Sequence, residues 1–250
     1  MLTNREENCV QHVNVSNQTF ENFIVSETNT QAFNACVKFA KGSGAFPNPL
    51  VLCGPSPCGK THLLHAIKNL VQDREPSAKV CIVPFDEFIS QYVEGLNKKD
   101  LSEFEGRYLT EDVLMIENAQ FLAGKSATQE SISNMFYKMC ILGKRVALVS
   151  DRPSKWYKQL YENLNDEIKS FQILDIDSPD YVIRKEYLMR IIAKNPDILT
   201  ENMIKYIAVS KRISFSAIPG IFRKLCLFEQ MTGKPLTTRS IIEIIKSYEK

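Results

Sequence analysis

The chain has 250 residues, 44% of them hydrophobic and 24% charged, with only 10 Gly and 11 Pro. That is length enough to bury a core without disulfide or metal staples, and the composition excludes collagen-like, low-complexity and disordered chains. Lys plus Arg number 31 against 29 Asp plus Glu, a formal net charge of +2, so no overall basic field marks a nucleic-acid binder, although a local basic patch stays open.

Residues 1–18 are polar and aperiodic and read as a loose arm. The opening MLTNREENCVQHVNVS has no charged segment followed by an apolar one, so no secretory signal is expected. No apolar run reaches the roughly 18 to 20 residues of a membrane span. After Thr19 to Val25, Ala32, Ala35, Cys36 and Phe39 recur at helical spacing and predict a helix over 29–40. GSGAFPNP is a loop of turn formers, and PLVLC over 49–53 is a short apolar run suited to a buried parallel strand. A helix over 61–71 carries Leu64, Ile67, Leu70 and Val71 on one face.

The alternation then repeats: strand 79–83, helix 85–93, strand 113–116, helix 127–142, strand 145–149 and a shorter strand 171–176. Strands and helices alternating through short loops predict a parallel sheet covered on both faces. After Ser178-Pro179 the pattern becomes wholly helical, over 181–194, 201–209, 214–231 and 238–248, with Thr200, Ser214 and Thr237 or Thr238 as N-cap candidates. The expected organisation is an arm (1–18), an α/β core (19–177) and a small helical domain (178–250), with no internal repeat.

Seven cysteines, an odd number at scattered spacing, include several inside apolar runs, where a reduced thiol packs as a small hydrophobe. With no C-x-x-C and only three histidines a zinc site is not expected, and a reducing cytoplasm is the expected compartment. His62 and His65 stand at i, i+3 without a third ligand nearby, so packing or surface roles are their default.

The sharpest local signal is Gly54-Pro55-Ser56-Pro57-Cys58-Gly59-Lys60-Thr61, a match to G-x-x-x-x-G-K-[ST] that follows one predicted strand and opens a helix. In that context loop and helix N–H groups point at phosphate oxygens, Lys60 supplies charge for the outer phosphates, and the Thr61 hydroxyl is placed for magnesium. Pro57 has no N–H to contribute, which weakens the expected grip. An acid at the end of a nearby strand is also needed. Asp112 to Asn118 supplies Glu117 there, with Asn118 where a second carboxylate would serve as base; an amide cannot accept that proton.

Several separated segments then resemble, in order and near-family spacing, the AAA+ module of the bacterial replication initiator DnaA family. They are Thr19-Phe20-Glu21-Asn22-Phe23-Ile24-Val25, Asn48-Pro49-Leu50, Gly59 through Ile67, Gln120 through Lys125 with Thr128-Gln129-Glu130, and Ser150-Asp151-Arg152-Pro153. The resemblance covers residue 20 to about 248, and includes Gly220 and the closing Gly233 to Thr237. It implies an AAA+ P-loop core, with a parallel sheet and helices on both faces, followed by an all-helical lid. It also implies ATP or ADP with Mg2+ as cofactor. The positions expected to touch nucleotide are Gly54, Ser56, Cys58, Gly59, Lys60, Thr61 and His62. Thr61 and Glu117 are expected at the metal, and Glu117 and the sensor-1 residue Asp151 at the chemistry.

The departures from the family pattern concern hydrolysis. Asn118 replaces the second Walker B acid, Ser216 stands at the sensor-2 arginine, and the arginine-finger run reads Asn165 to Phe171 with no arginine. Loss of a finger typically costs about 10³ to 10⁵ in rate, so self-stimulated hydrolysis and an arginine-dependent ring or filament are not expected. The lid is expected to run to Lys250, so no helix-turn-helix reader of duplex DNA is expected within these residues. This is the plan of the regulatory DnaA homologues such as Hda, whose clamp-binding peptide Gln11 to Val15 copies poorly.

The expected function is therefore a DnaA-like nucleotide-binding protein in replication initiation or its regulation. It would act by contact with initiator or replisome proteins, DnaA itself among the candidates, with weak or no hydrolysis. An active ATPase assembling on origin single-stranded DNA, and a scaffold that binds no nucleotide, stay open beside it. Lys98-Lys99 and Lys144-Arg145 read as solvated surface charge, and Trp156 as packing.

Overall fold

A computed structural model describes residues 18–42, 49–122, 126–155, 171–193, 198–210 and 213–246. The arm 1–17, most of the 42–49 loop, Trp156 and the run 165–170 lie outside them, so the readings made there go no further. By its internal contacts the chain divides into two compact units, one holding Gln18–Phe23 and Glu27–Ser178, the other Ile24–Ser26 and Pro179–Lys250.

The first unit is built on β1 (Leu50–Cys53), β2 (Val80–Pro84), β3 (Val113–Glu117), β4 (Arg145–Ser150) and β5 (Gln172–Asp175). All pair in parallel, in the order β2-β3-β4-β1-β5. The strands are apolar without interruption because both faces are covered. Leu50, Leu52, Val113, Met115, Ala147 and Val149 pack on one face against α1 (Thr30–Lys41) and α2 (Lys60–Arg74). Their alternates Val51, Cys53, Leu114, Ile116, Val146 and Leu148 pack on the other face. There they meet α3 (Phe85–Lys98), α4 (Ser102–Leu109) and α5 (Ser126–Ile141). The two-residue period of the strands thus feeds two separate cores, as the expected AAA+ P-loop core requires.

Two elements differ from the sequence expectation. The helix expected over 85–93 runs on to Lys98, and α4 follows it unannounced. An eight-residue helix is marginal alone; α4 is held by Phe104 and Tyr108, whose rings lie 5.1 and 4.8 Å from that of Phe88. Asp100 Oδ1 also accepts from the Ser102 N–H at its start (2.8 Å). The helix expected over 214–231 begins instead as a 3-10 turn, Phe215–Ala217, and α8 (Ile218–Thr232) starts only there. Pro219 explains the break, since it has no N–H for a preceding carbonyl and fits only the first turn of a helix.

The second unit holds α6 (Tyr181–Ile192), α7 (Glu201–Val209), α8 and α9 (Thr238–Lys246) around Leu188, Ile192, Ile207, Ile218, Ile221, Leu225 and Ile241. Asp180 caps α6, accepting from the Ile183 N–H (2.9 Å). At α9 the Thr237 N–H donates to Ser240 Oγ (2.9 Å) and the Ser240 N–H to Thr237 Oγ1 (3.2 Å), a reciprocal cap.

Arg184 is buried and closes the end of α7, donating from Nε to Ala208 O (2.8 Å) and from Nη2 to Ser210 O (2.9 Å). Its charge meets the carbonyl ends that a helix leaves unpaired. Arg184→Ala is expected to lower the stability of this unit by about 2 kcal/mol, read as faster amide exchange across α6 and α7 with α2 unaffected.

Candidate functional site

The register brings the strand ends to one edge of the sheet. Cys53 is level with Ser150 on one side and Asp175 on the other, and Pro84 is level with Glu117. The loop after β1, the end of β3 and the segment after β4 therefore leave from the same side, where open α/β sheets bind ligands.

The loop starts under constraint. The Gly54 N–H donates to Ser150 O (3.1 Å) and the Ile176 N–H to Cys53 O (2.7 Å), so Gly54 is pinned between β4 and β5. A Cβ at Gly54 would lie 2.2 Å from Ile176 O. Ser56 is exposed, the Ser56–Pro57 bond is cis, and Cys58 is buried. Gly59 has φ of 96°, a conformation that L side chains avoid, and a Cβ there would meet the Phe23 ring at 2.9 Å. It caps α2, whose first residue is Lys60.

Lys60 is turned inward, with only 6% of its surface exposed. Its Nζ pairs with Asp151 Oδ1 at 2.8 Å and donates to Gly54 O (2.7 Å), Pro55 O (3.3 Å) and Cys58 Sγ (3.7 Å). The neighbouring Thr61 hydroxyl donates to Glu117 Oε1 (3.0 Å), joining α2 to the end of β3. Asn118 follows in the left-handed region, φ 58°, which asparagine tolerates better than most residues. The structure thus brings Gly54, Cys58, Gly59, Lys60, Thr61, Glu117 and Asp151 into one constellation.

His62 belongs to a different contact. Its Nε2 donates to Thr19 O (2.9 Å) and its ring stands edge-on to Phe23, 5.1 Å between centroids. It ties the Thr19–Phe23 segment to α2. Burial holds the His65 pKa below the usual histidine value, with Glu117 opposing. Burial also pushes the Cys58 thiol up, against the pull of Lys60, and the Cys53 thiol up to about 12, so both stay protonated at neutral pH. Ser216 lies in the second unit, its Oγ 2.8 Å from Ser214 Oγ.

Three supporting residues were not among the expected site positions. The Asp151 N–H donates to Gln120 Oε1 (3.2 Å), and Ser154 donates both its N–H (2.8 Å) and its hydroxyl to the Asp175 carboxylate. Gln120 sat in a quoted family segment without a role. The Ser154–Asp175 pair joins the segment after β4 to the end of β5 and had no local signal at all.

The bacterial DnaA ATPase domain family matches residues 15–210. The chain belongs to the bacterial DnaA ATPase-domain family. A DnaA of Picosynechococcus is 31% identical over 92% of this chain, and one of Chloroflexus aurantiacus is 32% identical over 88%. Those alignments take in 51% and 46% of the two relatives, so the chain spans about half the length of the curated DnaA proteins it matches. Domain III of Thermotoga maritima DnaA superposes with a TM-score of 0.76 at 28% identity, covering 93% of this chain and 97% of that one. A replication initiator DnaA bound to AMPPCP and single-stranded DNA superposes with a TM-score of 0.70 at 28% identity, over 84% and 65%. The AAA+ fold and DnaA relationship are thereby fixed for this module, and among its described residues no helix is long and apolar enough to cross a membrane.

Proposed function

We propose that this DnaA-type module binds ATP or ADP with magnesium at the loop ahead of α2. In this reading it acts in replication initiation or its regulation by contact with initiator or replisome proteins, with weak or no hydrolysis. The observation that supports it is the convergence of Lys60, the Thr61–Glu117 pair and Asp151 on one strand edge. The residues fit such a ligand. Gly54 and Gly59 stand where a Cβ would collide with Ile176 O and the Phe23 ring, so both ends of the loop are fixed in place by packing against the protein. A buried ammonium lies at its base.

Lys60 and the loop N–H groups would hold the phosphates, with one N–H fewer because of Pro57. Thr61 and Glu117 would hold magnesium. Among the described residues no group of three or more His, Cys, Asp or Glu could hold a metal ion, so the ion would depend on phosphate oxygens as well, as magnesium commonly does. Bound together, nucleotide and metal would supply the charge that links the loop, through Thr61 and Glu117, to the end of β3. Hydrolysis is where the set falls short, since Asn118 cannot take a proton from water. The runs that would carry a finger and a sensor-2 arginine hold none.

Calorimetric titration of the whole chain with ATP and ADP, each with magnesium, tests the reading, followed by a phosphate-release assay. Micromolar binding, about −8 kcal/mol, with no release above buffer is expected. No heat from either nucleotide would sink the nucleotide reading, and steady turnover would sink the claim of weak hydrolysis. The likeness to a DnaA bound to single-stranded DNA makes that polymer a second ligand to titrate in each nucleotide state.

A further inference from the structure

The contacts at the strand edge close into a ring. Lys60 and Thr61 are neighbours in the chain, Thr61 Oγ1 donates to Glu117 Oε1 (3.0 Å), and Asp151 Oδ1 returns to Lys60 Nζ (2.8 Å). One side remains, between Glu117 and Asp151, and Gln120 spans it, its Oε1 accepting from the Asp151 N–H (3.2 Å). Gln120 is the member of this ring to which neither phosphate nor magnesium gives a role.

Its own place is fixed. It belongs to the 3-10 turn Ala119–Leu122, whose first and last residues are buried in the core beside α3 and α5. The Phe121 N–H donates to Asn118 O (3.2 Å), and buried Gln129 of α5 donates from Nε2 to Leu122 O (2.8 Å). The segment after β4 has its other anchors elsewhere, the Arg152 N–H on Ser150 Oγ (3.0 Å) and Ser154 on Asp175 at the end of β5. Gln120 is therefore what holds the start of that segment toward β3.

What this placement serves is the ammonium. Lys60 has three protons, and its short bonds to Asp151 Oδ1 and Gly54 O (2.7 Å) take two of them. The third is left for a phosphate oxygen, since the contacts to Pro55 O (3.3 Å) and Cys58 Sγ (3.7 Å) are long and yield readily. A charge that is aimed before the ligand arrives binds without the cost of ordering it. We infer that Gln120 is a positioning residue of the nucleotide site, acting through Asp151 on Lys60 and joining the metal side of the site at Glu117 to its phosphate side. The inference rests on the nucleotide reading above and adds a residue to it.

The test titrates ADP with magnesium into the whole chain as wild type, Gln120→Met, Asp151→Ala and the double variant. Methionine keeps the length of the side chain and removes its carbonyl. Gln120→Met is expected to bind ADP about fivefold more weakly than wild type, the worth of one neutral hydrogen bond. Asp151→Ala is expected to bind more weakly still. In the double variant the glutamine substitution is expected to add nothing to that loss, because no carboxylate remains to be placed. Losses that add, or wild-type affinity in Gln120→Met, overturn the inference and leave the nucleotide reading standing. No binding by wild type overturns both. Asp151→Asn takes the place of the alanine variant in the cycle should that one fail to fold or bind too weakly to measure.

Discussion

Lys60→Ala is expected to weaken ATP and ADP binding by at least about 30-fold and to leave the fold intact. The two halves of that expectation have different origins. In binding, the ammonium is a full positive charge hydrogen-bonded to the loop carbonyls, and truncating one member of a desolvated charge pair costs about 2 to 5 kcal/mol, or at least about 30-fold in affinity. In folding, the losses and gains nearly cancel. The variant gives up the bonds to Gly54 O, Pro55 O and Asp151. It also removes the need to bury an ammonium, and Asp151 is exposed enough to take water in its place. The net change in stability is expected within about 1 kcal/mol. Calorimetry with ADP and magnesium, paired with a thermal melt, separates the two. Retained micromolar binding would show that the loop grips phosphate by its N–H groups without Lys60, and the proposed role of this lysine would be wrong.

The alternation of apolar strand and amphipathic helix made the sheet core legible, because strands buried on both faces and helices with one apolar stripe leave different periods in a sequence. PLVLC, VLMI and RVALV need no partner to announce themselves. What did not show was α4. Its two anchors, Phe104 and Tyr108, have the right spacing, but their energy comes from Phe88, sixteen and twenty residues earlier. The order β2-β3-β4-β1-β5 is likewise a property of which strand finds which. Pro219 was visible, yet its effect on the helix over 214–231 depends on whether it falls in a first turn or an interior.

At the site the same division holds. Gly54 through Thr61 is a local pattern, read as a unit because loop, lysine and hydroxyl are adjacent in the chain. Glu117 and Asp151 could be named only as polar residues closing apolar strands and through family resemblance. Their actual partners, Thr61 and Lys60, lie 56 and 91 positions away. The clamp of Asp175 on Ser154 has no sequence signature, since an acid followed by Ile and Asp at the end of a strand looks like any exit to solvent. His62, the residue after the motif, shows a partner no local pattern announces: its ring meets Thr19 O and Phe23.

Gly54→Ala is expected to cost about 2 to 4 kcal/mol of stability and to remove nucleotide binding with it. The added methyl would stand 2.2 Å from Ile176 O and 3.1 Å from Cys58 Sγ. The first contact is with backbone, so no rotamer relieves it. Nor can the strand slide, because the Gly54 N–H is committed to Ser150 O and the Ile176 N–H to Cys53 O. Relief requires opening the β1–β5 ladder at its C-terminal end, and that moves both the start of the phosphate loop and the Asp175 clamp on the Asp151 segment. Gly106→Ala is the contrasting substitution. Gly106 lies exposed in α4 with nothing within 4 Å of a Cβ, so alanine there is expected to raise stability by about 0.5 to 1 kcal/mol through helix propensity. Urea unfolding of the two variants, with ADP titration of each, reads both predictions. A Gly54→Ala protein as stable as wild type that still binds ADP would mean the loop is free to shift away from β5, and the rigid link between strand edge and phosphate loop argued above would not hold.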